Sequence, residues 1–214
     1  MIILGHRGST TKDIHENTVE AFQLAKDLGA NGIQTDIRIS KDNEMVLFRD
    51  NSIDGEWIHD LTLDEINQHA GYKVATLSDL LKWSSKEFIL NLEIKQHNIV
   101  GEVINELKEF KDREYIISSF HHPTAFKISK AISAPAGLLM PVRPVYIKPF
   151  LQLIPAALEY IIWDYDVYSP DIKIELLQYK HLVYNMNSTK IKKKDILDGI
   201  ISDNLDAHVK NGKN

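Results

Sequence analysis

Eight short apolar runs recur along the chain, and they constrain its fold more than any other feature. They are Ile2 to Leu4, Gly32 to Ile39, Phe88 to Ile94, Tyr115 to Ser119, Ala136 to Met140, Tyr160 to Trp163, His181 to Tyr184 and Gly199 to Ile201. Between them lie stretches with helical spacing, such as Thr18 to Leu28 and Ile99 to Phe110. In the second of these Val100, Val103, Ile104 and Leu107 repeat at intervals of three and four. Strand and helix in alternation imply a parallel sheet, and eight such units imply a closed (β/α)₈ barrel of the α/β class. A doubly wound open sheet is the alternative. With 214 residues, 43% of them hydrophobic, the chain can bury that core as one domain.

A barrel of this kind carries its chemistry on the loops at the carboxyl ends of its strands. Those positions are rich in ionisable and polar side chains. His6 and Arg7 follow the first run, Asp36 lies near the end of the second, and Glu93 and Lys95 end the third. Ser118, Ser119 and His121 close the fourth, Asp164 the sixth, Asn185 the seventh and Asp203 the eighth. After the second run, Asp42-Asn43 reads as a two-residue turn. That turn folds the chain back and sets Arg49 opposite Asp36.

Composition removes several classes of function. The net charge of -5 gives no general attraction to nucleic acid. The one basic run, Lys192 to Lys194, reads as a solvated surface segment. With no cysteine there is no disulfide, thiolate nucleophile or Cys-bound zinc. No apolar stretch approaches the ~18 residues of a membrane span, and the short run at Ile2 to Leu4 turns polar at once, so a cytoplasmic protein is expected. The sequence carries no oligomerisation signal.

Taken in order, a further set of residues resembles the glycerophosphodiester phosphodiesterase family. It comprises Gly5-His6-Arg7-Gly8, Glu16-Asn17-Thr18 and Gln34-Thr35-Asp36, then Lys41-Asp42, Val46 to Asp50 and Leu61 to Glu65. It continues with Asn91-Leu92-Glu93-Ile94-Lys95, Ser118-Ser119-Phe120 and Asp198 to Asp203. The resemblance implies a TIM barrel that cleaves a glycerophosphodiester to an alcohol and glycerol 3-phosphate. It also implies a divalent cation, Mg²⁺ or Ca²⁺, and a small phosphodiester as partner. In that pattern His6 is a catalytic histidine, Arg7 and Lys95 contact the phosphate, and Asp36 and Glu93 are metal ligands. Glu16 and Asn17 position the site, and Thr18 also reads as a helix cap. His121 is placed to contact substrate.

Two positions depart from the family pattern. Gln34 stands where a metal-binding glutamate is expected, and Arg49 where a second catalytic histidine is expected. An amide oxygen ligates Mg²⁺ or Ca²⁺ more weakly than a carboxylate, so a weakly bound cation follows. Arginine stays protonated and cannot be a general base, so Arg49 is assigned to charge stabilisation beside Asp36 and the phosphate. His15, His59, His121 and His122 are the candidate replacement bases. The segment from Asn51 to Thr76 is short, leaving only a reduced insertion around 51–76. A hydrolase with an altered site, a catalytically impaired barrel that binds a phosphorylated ligand, and a lyase that forms a cyclic phosphate all fit these residues.

Overall fold

The computed structural model describes residues 1–143, 158–186 and 197–209. Each of the eight apolar runs coincides with a strand, Phe88 alone falling just before its own: β1 (Ile2–His6), β2 (Gly32–Ile39), β6 (Ile89–Ile94), β7 (Tyr115–Ser119), β8 (Ala136–Met140), β9 (Leu158–Asp164), β10 (Lys180–Tyr184) and β11 (Gly199–Ser202). They pair in parallel in the order β1, β11, β10, β9, β8, β7, β6, β2, and β2 pairs with β1 again, so the sheet closes on itself. The basic run Lys192 to Lys194 lies outside the described residues.

Alternation along the strands divides the core into two layers. Outward residues such as Ile33, Leu90, Ile117 and Ile161 pack beneath the helices with Phe22, Leu80, Val103 and Ile128. Inward, Leu4, Ile116, Leu139, Ile162, Leu182 and Ile201 form a smaller apolar cluster. Burying each such side chain fully contributes about 1.5–3 kcal/mol. The inward positions of β2 and β6 break this pattern: Gln34, Asp36, Arg38, Asn91 and Glu93 are all polar and all buried. One side of the barrel is therefore filled with apolar groups, and the other with polar groups that must find partners.

The helix α1 (Val19–Asp27) begins at Thr18, whose hydroxyl accepts from the Ala21 N–H, and it buries Ala21, Phe22 and Ala25. The loop from β1 turns onto its first turn through Arg7 and Gly8, both at positive φ (57° and 90°). A Cβ on Gly8 would lie 2.6 Å from the Ala21 backbone, so only glycine permits that approach. The predicted helix at 99–110 appears over Val100–Lys108, preceded by a 3₁₀ turn at His97–Ile99.

Beyond β2 the chain folds back as an antiparallel strand, β3 (Met45–Leu47), but one residue out of the expected register. Ile39 faces Met45, and the loop is three residues long, Lys41-Asp42-Asn43, with Asn43 at φ 66°. Ser40 holds it: its hydroxyl donates to Asp42 Oδ1 (2.6 Å) and accepts from the Glu44 N–H (2.9 Å). The left-handed Asn43 is the residue that a two-residue turn omits. In consequence Phe48, not Arg49, is opposite Asp36, with its N–H donating to the Asp36 carbonyl (3.0 Å). A slip of one residue exchanges the faces of a strand, and it takes Arg49 away from Asp36.

The 51–76 segment forms a hairpin of two-residue strands, β4 (Ser52–Ile53) and β5 (Glu56–Trp57), and the helix α2 (Leu63–Ala70). Thr62 and Glu65 close a capping box at its start. Val46, Ile58, Leu61, Ile66 and Val74 give it a small core of its own.

Candidate active site

A cavity of about 170 Å³ opens at the carboxyl end of the barrel. His6, Arg7, Gln34, Asp36, Glu93, Lys95, Arg49, Tyr184 and Asn185 line it beside Phe120, Leu139 and Ile201. A larger cavity, about 520 Å³, lies at the other end among strand starts and helix ends such as Ile89, Tyr115 and Ile132. It has no comparable convergence of histidine, carboxylates and cations.

His6 ends β1, and its Nδ1 lies 2.7 Å from Asp203 Oδ1, just beyond the end of β11. Its Nε2 lies 3.1 Å from an Arg7 terminal nitrogen, which can only donate. These two contacts favour one tautomer: Nδ1 carries the proton toward Asp203, and the Nε2 lone pair accepts from Arg7. The His6 bond, opposed by burial and aided by the charges of His6, Arg7 and Arg49, holds the Asp203 carboxyl below its ordinary value.

Arg7 is held on three sides. Besides His6 it donates to Glu16 (2.8 Å), and its Nε lies 3.1 Å from Asp36 Oδ2. The partner expected for Asp36 was Arg49; the structure puts Arg7 there. Arg49 is at the rim with its side chain 55% exposed, 4.0 Å from Asp50. Its carbonyl accepts two bonds from the buried Arg38, at 3.2 and 2.9 Å. Burial lowers the Arg38 guanidinium from its ordinary value, and Asp36, Asp50 and Glu93 oppose that shift. Glu16 supports Arg7 from outside and does not line the cavity. His121 does not line it either: its ring meets Thr124 Oγ1 at 2.7 Å at the start of the helix at His122–Ile132.

Asp36 and Glu93 face each other across paired strands. The Gln34 amide nitrogen lies between them, 3.2 Å from Asp36 Oδ1 and 3.1 Å from Glu93 Oε2. Gln34 Oε1 accepts from the Arg7 N–H at 3.2 Å, the longer branch of a bond whose other acceptor is the Gln34 carbonyl at 2.8 Å. Lys95 Nζ lies 2.7 Å from Glu93 Oε1 and 3.6 Å from Asp36 Oδ1. Burial, then the neighbouring Asp36, raise the Glu93 carboxyl, and Lys95 works in the other direction. Burial also pushes the Tyr184 phenol up to about 12, with Asp164 and Glu93 adding to it.

A divalent cation at Gln34, Asp36 and Glu93 would require the amide turned over, at the cost of its contact to Arg7 and of both bonds to the carboxylates. It would also lie beside the Lys95 ammonium. Among the described residues no group of three or more His, Cys, Asp or Glu side chains could hold a metal ion. The donor set does not fit the cation that the resemblance implies.

Two supporting residues were not legible as such, and a third only in part. Asp203 was visible only as a strand-end carboxylate; its pairing with His6 requires β1 and β11 to be neighbours. Arg38 carries no signal, since by residue type it reads as a surface cation. Asn17 was expected to position the site, but not how: it donates to Asp36 Oδ2 (3.2 Å) and accepts from the Thr35 hydroxyl (2.7 Å).

The family model for "Glycerophosphoryl diester phosphodiesterase family" matches residues 6–207. The chain belongs to this family. Among known members it is 33% identical over 151 residues to a glycerophosphodiester phosphodiesterase of Caldanaerobacter subterraneus, covering 60% of this chain and 62% of that protein. The matches span about three fifths or less of the first curated relatives. Among solved structures, the Thermotoga maritima glycerophosphodiester phosphodiesterase aligns at TM-score 0.83 and 28% identity, over 98% of this chain and 97% of that one. An Oleispira antarctica phosphodiesterase, solved with the product sn-glycerol-3-phosphate, shares the fold at TM-score 0.83 and 20% identity, over 100% of this chain and 96% of that one.

Proposed function

We propose that this family member is a phosphoric diester hydrolase that cleaves a small glycerophosphodiester to an alcohol and glycerol 3-phosphate. One observation carries it: a histidine held by a carboxylate at Nδ1 turns its other ring nitrogen, which accepts from Arg7 at 3.1 Å, into a cavity that Lys95 and Arg49 also line. Product-bound glycerol 3-phosphate in the Oleispira antarctica neighbour supports the same substrate class.

The chemistry follows from charge. A phosphodiester monoanion repels nucleophiles, so the site must supply positive donors to its non-bridging oxygens. Arg7, Lys95 and Arg49 line the cavity, Arg49 at its rim, and each offers N–H donors to it. When a bound phosphate draws the Arg7 N–H away from it, His6 Nε2 takes the proton of the attacking water, and Asp203 stabilises the resulting imidazolium as an adjacent carboxylate does. The same imidazolium can then protonate the leaving oxygen. Asn17, Glu16 and Arg38 touch no substrate in this scheme; they hold Asp36, Arg7 and the Arg49 backbone. The family resemblance implies Mg²⁺ or Ca²⁺ held by Asp36, Glu93 and Gln34, but no step here is routed through a cation because the donors do not fit one. No helix among the described residues is long and apolar enough to cross a membrane. The cytoplasm is the setting we assign.

One further reading has a specific observation behind it. Arg49 cannot accept a proton, so a single histidine serves both attack and departure. That favours a lyase route, in which a hydroxyl of the substrate attacks and a cyclic phosphate forms. Incubation with glycerophosphocholine and glycerophosphoethanolamine, in Mg²⁺, Ca²⁺ or EDTA, followed by phosphorus NMR, separates the cases. Glycerol 3-phosphate as the product supports the hydrolase, and an accumulating cyclic ester supports the lyase. Binding of phosphate esters with no turnover would make the protein a binding module.

A further inference from the structure

We propose that the mouth binds a phosphate ester without a divalent cation, with the Gln34 amide and the Lys95 ammonium standing where a cation would bridge Asp36 and Glu93. It shares with the proposed function the premise that this mouth takes a phosphate ester.

Two buried carboxylates side by side ordinarily recruit a hard cation through their free oxygens. Here each of the four oxygens already faces a protein nitrogen. Asp36 Oδ1 meets the Gln34 amide at 3.2 Å, and Asp36 Oδ2 meets Asn17 at 3.2 Å and Arg7 Nε at 3.1 Å. Glu93 Oε1 meets Lys95 at 2.7 Å, and Glu93 Oε2 meets Gln34 at 3.1 Å. Arg7, which Asp36 shares with Glu16, and Lys95 face these two carboxylates, with the buried Arg38 nearby. An incoming cation would find every oxygen of the two carboxylates already against a protein nitrogen and the Lys95 ammonium beside it. An incoming phosphate would meet Arg49, whose side chain is 55% exposed at the rim, and the remaining N–H donors of Lys95.

Gln34 is the residue that decides between these states. Its amide nitrogen satisfies an oxygen of each carboxylate without bringing charge. A glutamate there would present oxygen to oxygen and leave three carboxylates to be bridged, which a divalent cation does well.

The test measures binding apart from turnover. Mn²⁺ binding is followed by electron paramagnetic resonance on wild type, Gln34→Glu and Asp36→Asn, and glycerol 3-phosphate binding by calorimetry in EDTA and in Mg²⁺ or Ca²⁺. The expected result is no Mn²⁺ site in wild type, one site in Gln34→Glu, and glycerol 3-phosphate affinity in wild type that is the same with EDTA as with either cation. A stoichiometric Mn²⁺ site in wild type that Asp36→Asn abolishes would overturn the proposal, as would glycerol 3-phosphate binding that requires a cation or is absent throughout. If glycerol 3-phosphate binds without cation but no diester is cleaved, the proposal stands and only the hydrolase assignment fails. The wild-type measurements decide the matter even if Gln34→Glu does not fold.

Discussion

Replacing Asn17 isolates how the scaffold holds Asp36. Asn17 is 3% exposed and has φ 56°, a left-handed conformation. Its backbone N–H donates to the Arg7 carbonyl (2.9 Å), a bond that any residue keeps. Its side chain does the rest, accepting from the Thr35 hydroxyl and donating to Asp36. Removing it leaves a fully buried hydroxyl without its acceptor, about 1–3 kcal/mol, and takes a donor from a buried carboxylate, about 1.5–3 kcal/mol. Because the two losses share one network, about 3 kcal/mol is the expected sum for Asn17→Gly. Asn17→Ala adds a Cβ at positive φ, a further cost of about 1 kcal/mol. The usual order, in which alanine is the more stable replacement, is therefore reversed. Urea denaturation followed by tryptophan fluorescence reads both. If Asn17→Ala equals or exceeds Asn17→Gly in stability, or if both lie within about 0.5 kcal/mol of wild type, Asn17 does not hold this site as described.

Three other substitutions have defined outcomes. Gln34→Glu sets a carboxylate 3.1–3.2 Å from two others; each contact costs about 5 kcal/mol at an effective dielectric of 20, but proton uptake near neutral pH caps the loss at about 3 kcal/mol. Its melting temperature should fall roughly 6–12 °C in EDTA and recover with Mg²⁺ or Ca²⁺, whereas wild type should not respond to either. Burial, with Glu44 and Glu109 contributing, pushes the Glu106 carboxyl up to about 7. Such a group binds more protons folded than unfolded, so stability is lost as pH rises from its ordinary value near 4.5 through about 7. Glu106→Gln should gain about 1 kcal/mol near pH 8, after allowance for its partial exposure, and nothing near pH 4; thermal melts at the two pH values check this. Gly8→Ala drives a Cβ to 2.6 Å from the Ala21 backbone at φ 90°, and should cost about 3 kcal/mol or more by calorimetry.

The barrel was legible because each strand is a short apolar run bounded by polar ends, and eight of them leave little choice of closed topology. What could not be read depends on single residues that alter local geometry or on contacts across the closed sheet. Asn43, left-handed, lengthened the hairpin loop by one and moved Arg49 to the rim. Asp203 meets His6 only because the last strand returns to the first. Arg38 is buried against the expectation for its type, paid for by a carbonyl and nearby carboxylates. Gln34 was legible as a departure, but its effect was not: it reads as a weak ligand, whereas its amide nitrogen faces both carboxylates. His121 follows a strand and reads as a mouth residue, yet Thr124 holds its ring at the start of the next helix.

The account rests on His6 and Asp203 acting as one unit on a phosphodiester. The direct measurement is kcat/KM for glycerol 3-phosphate release from glycerophosphocholine by wild type, His6→Ala, Asp203→Asn and the double variant. Loss of about 10²–10⁴-fold in His6→Ala is predicted, with a smaller loss in Asp203→Asn and a double variant no worse than His6→Ala alone. Release that is unaffected by His6→Ala, or losses that multiply in the double variant, would contradict it.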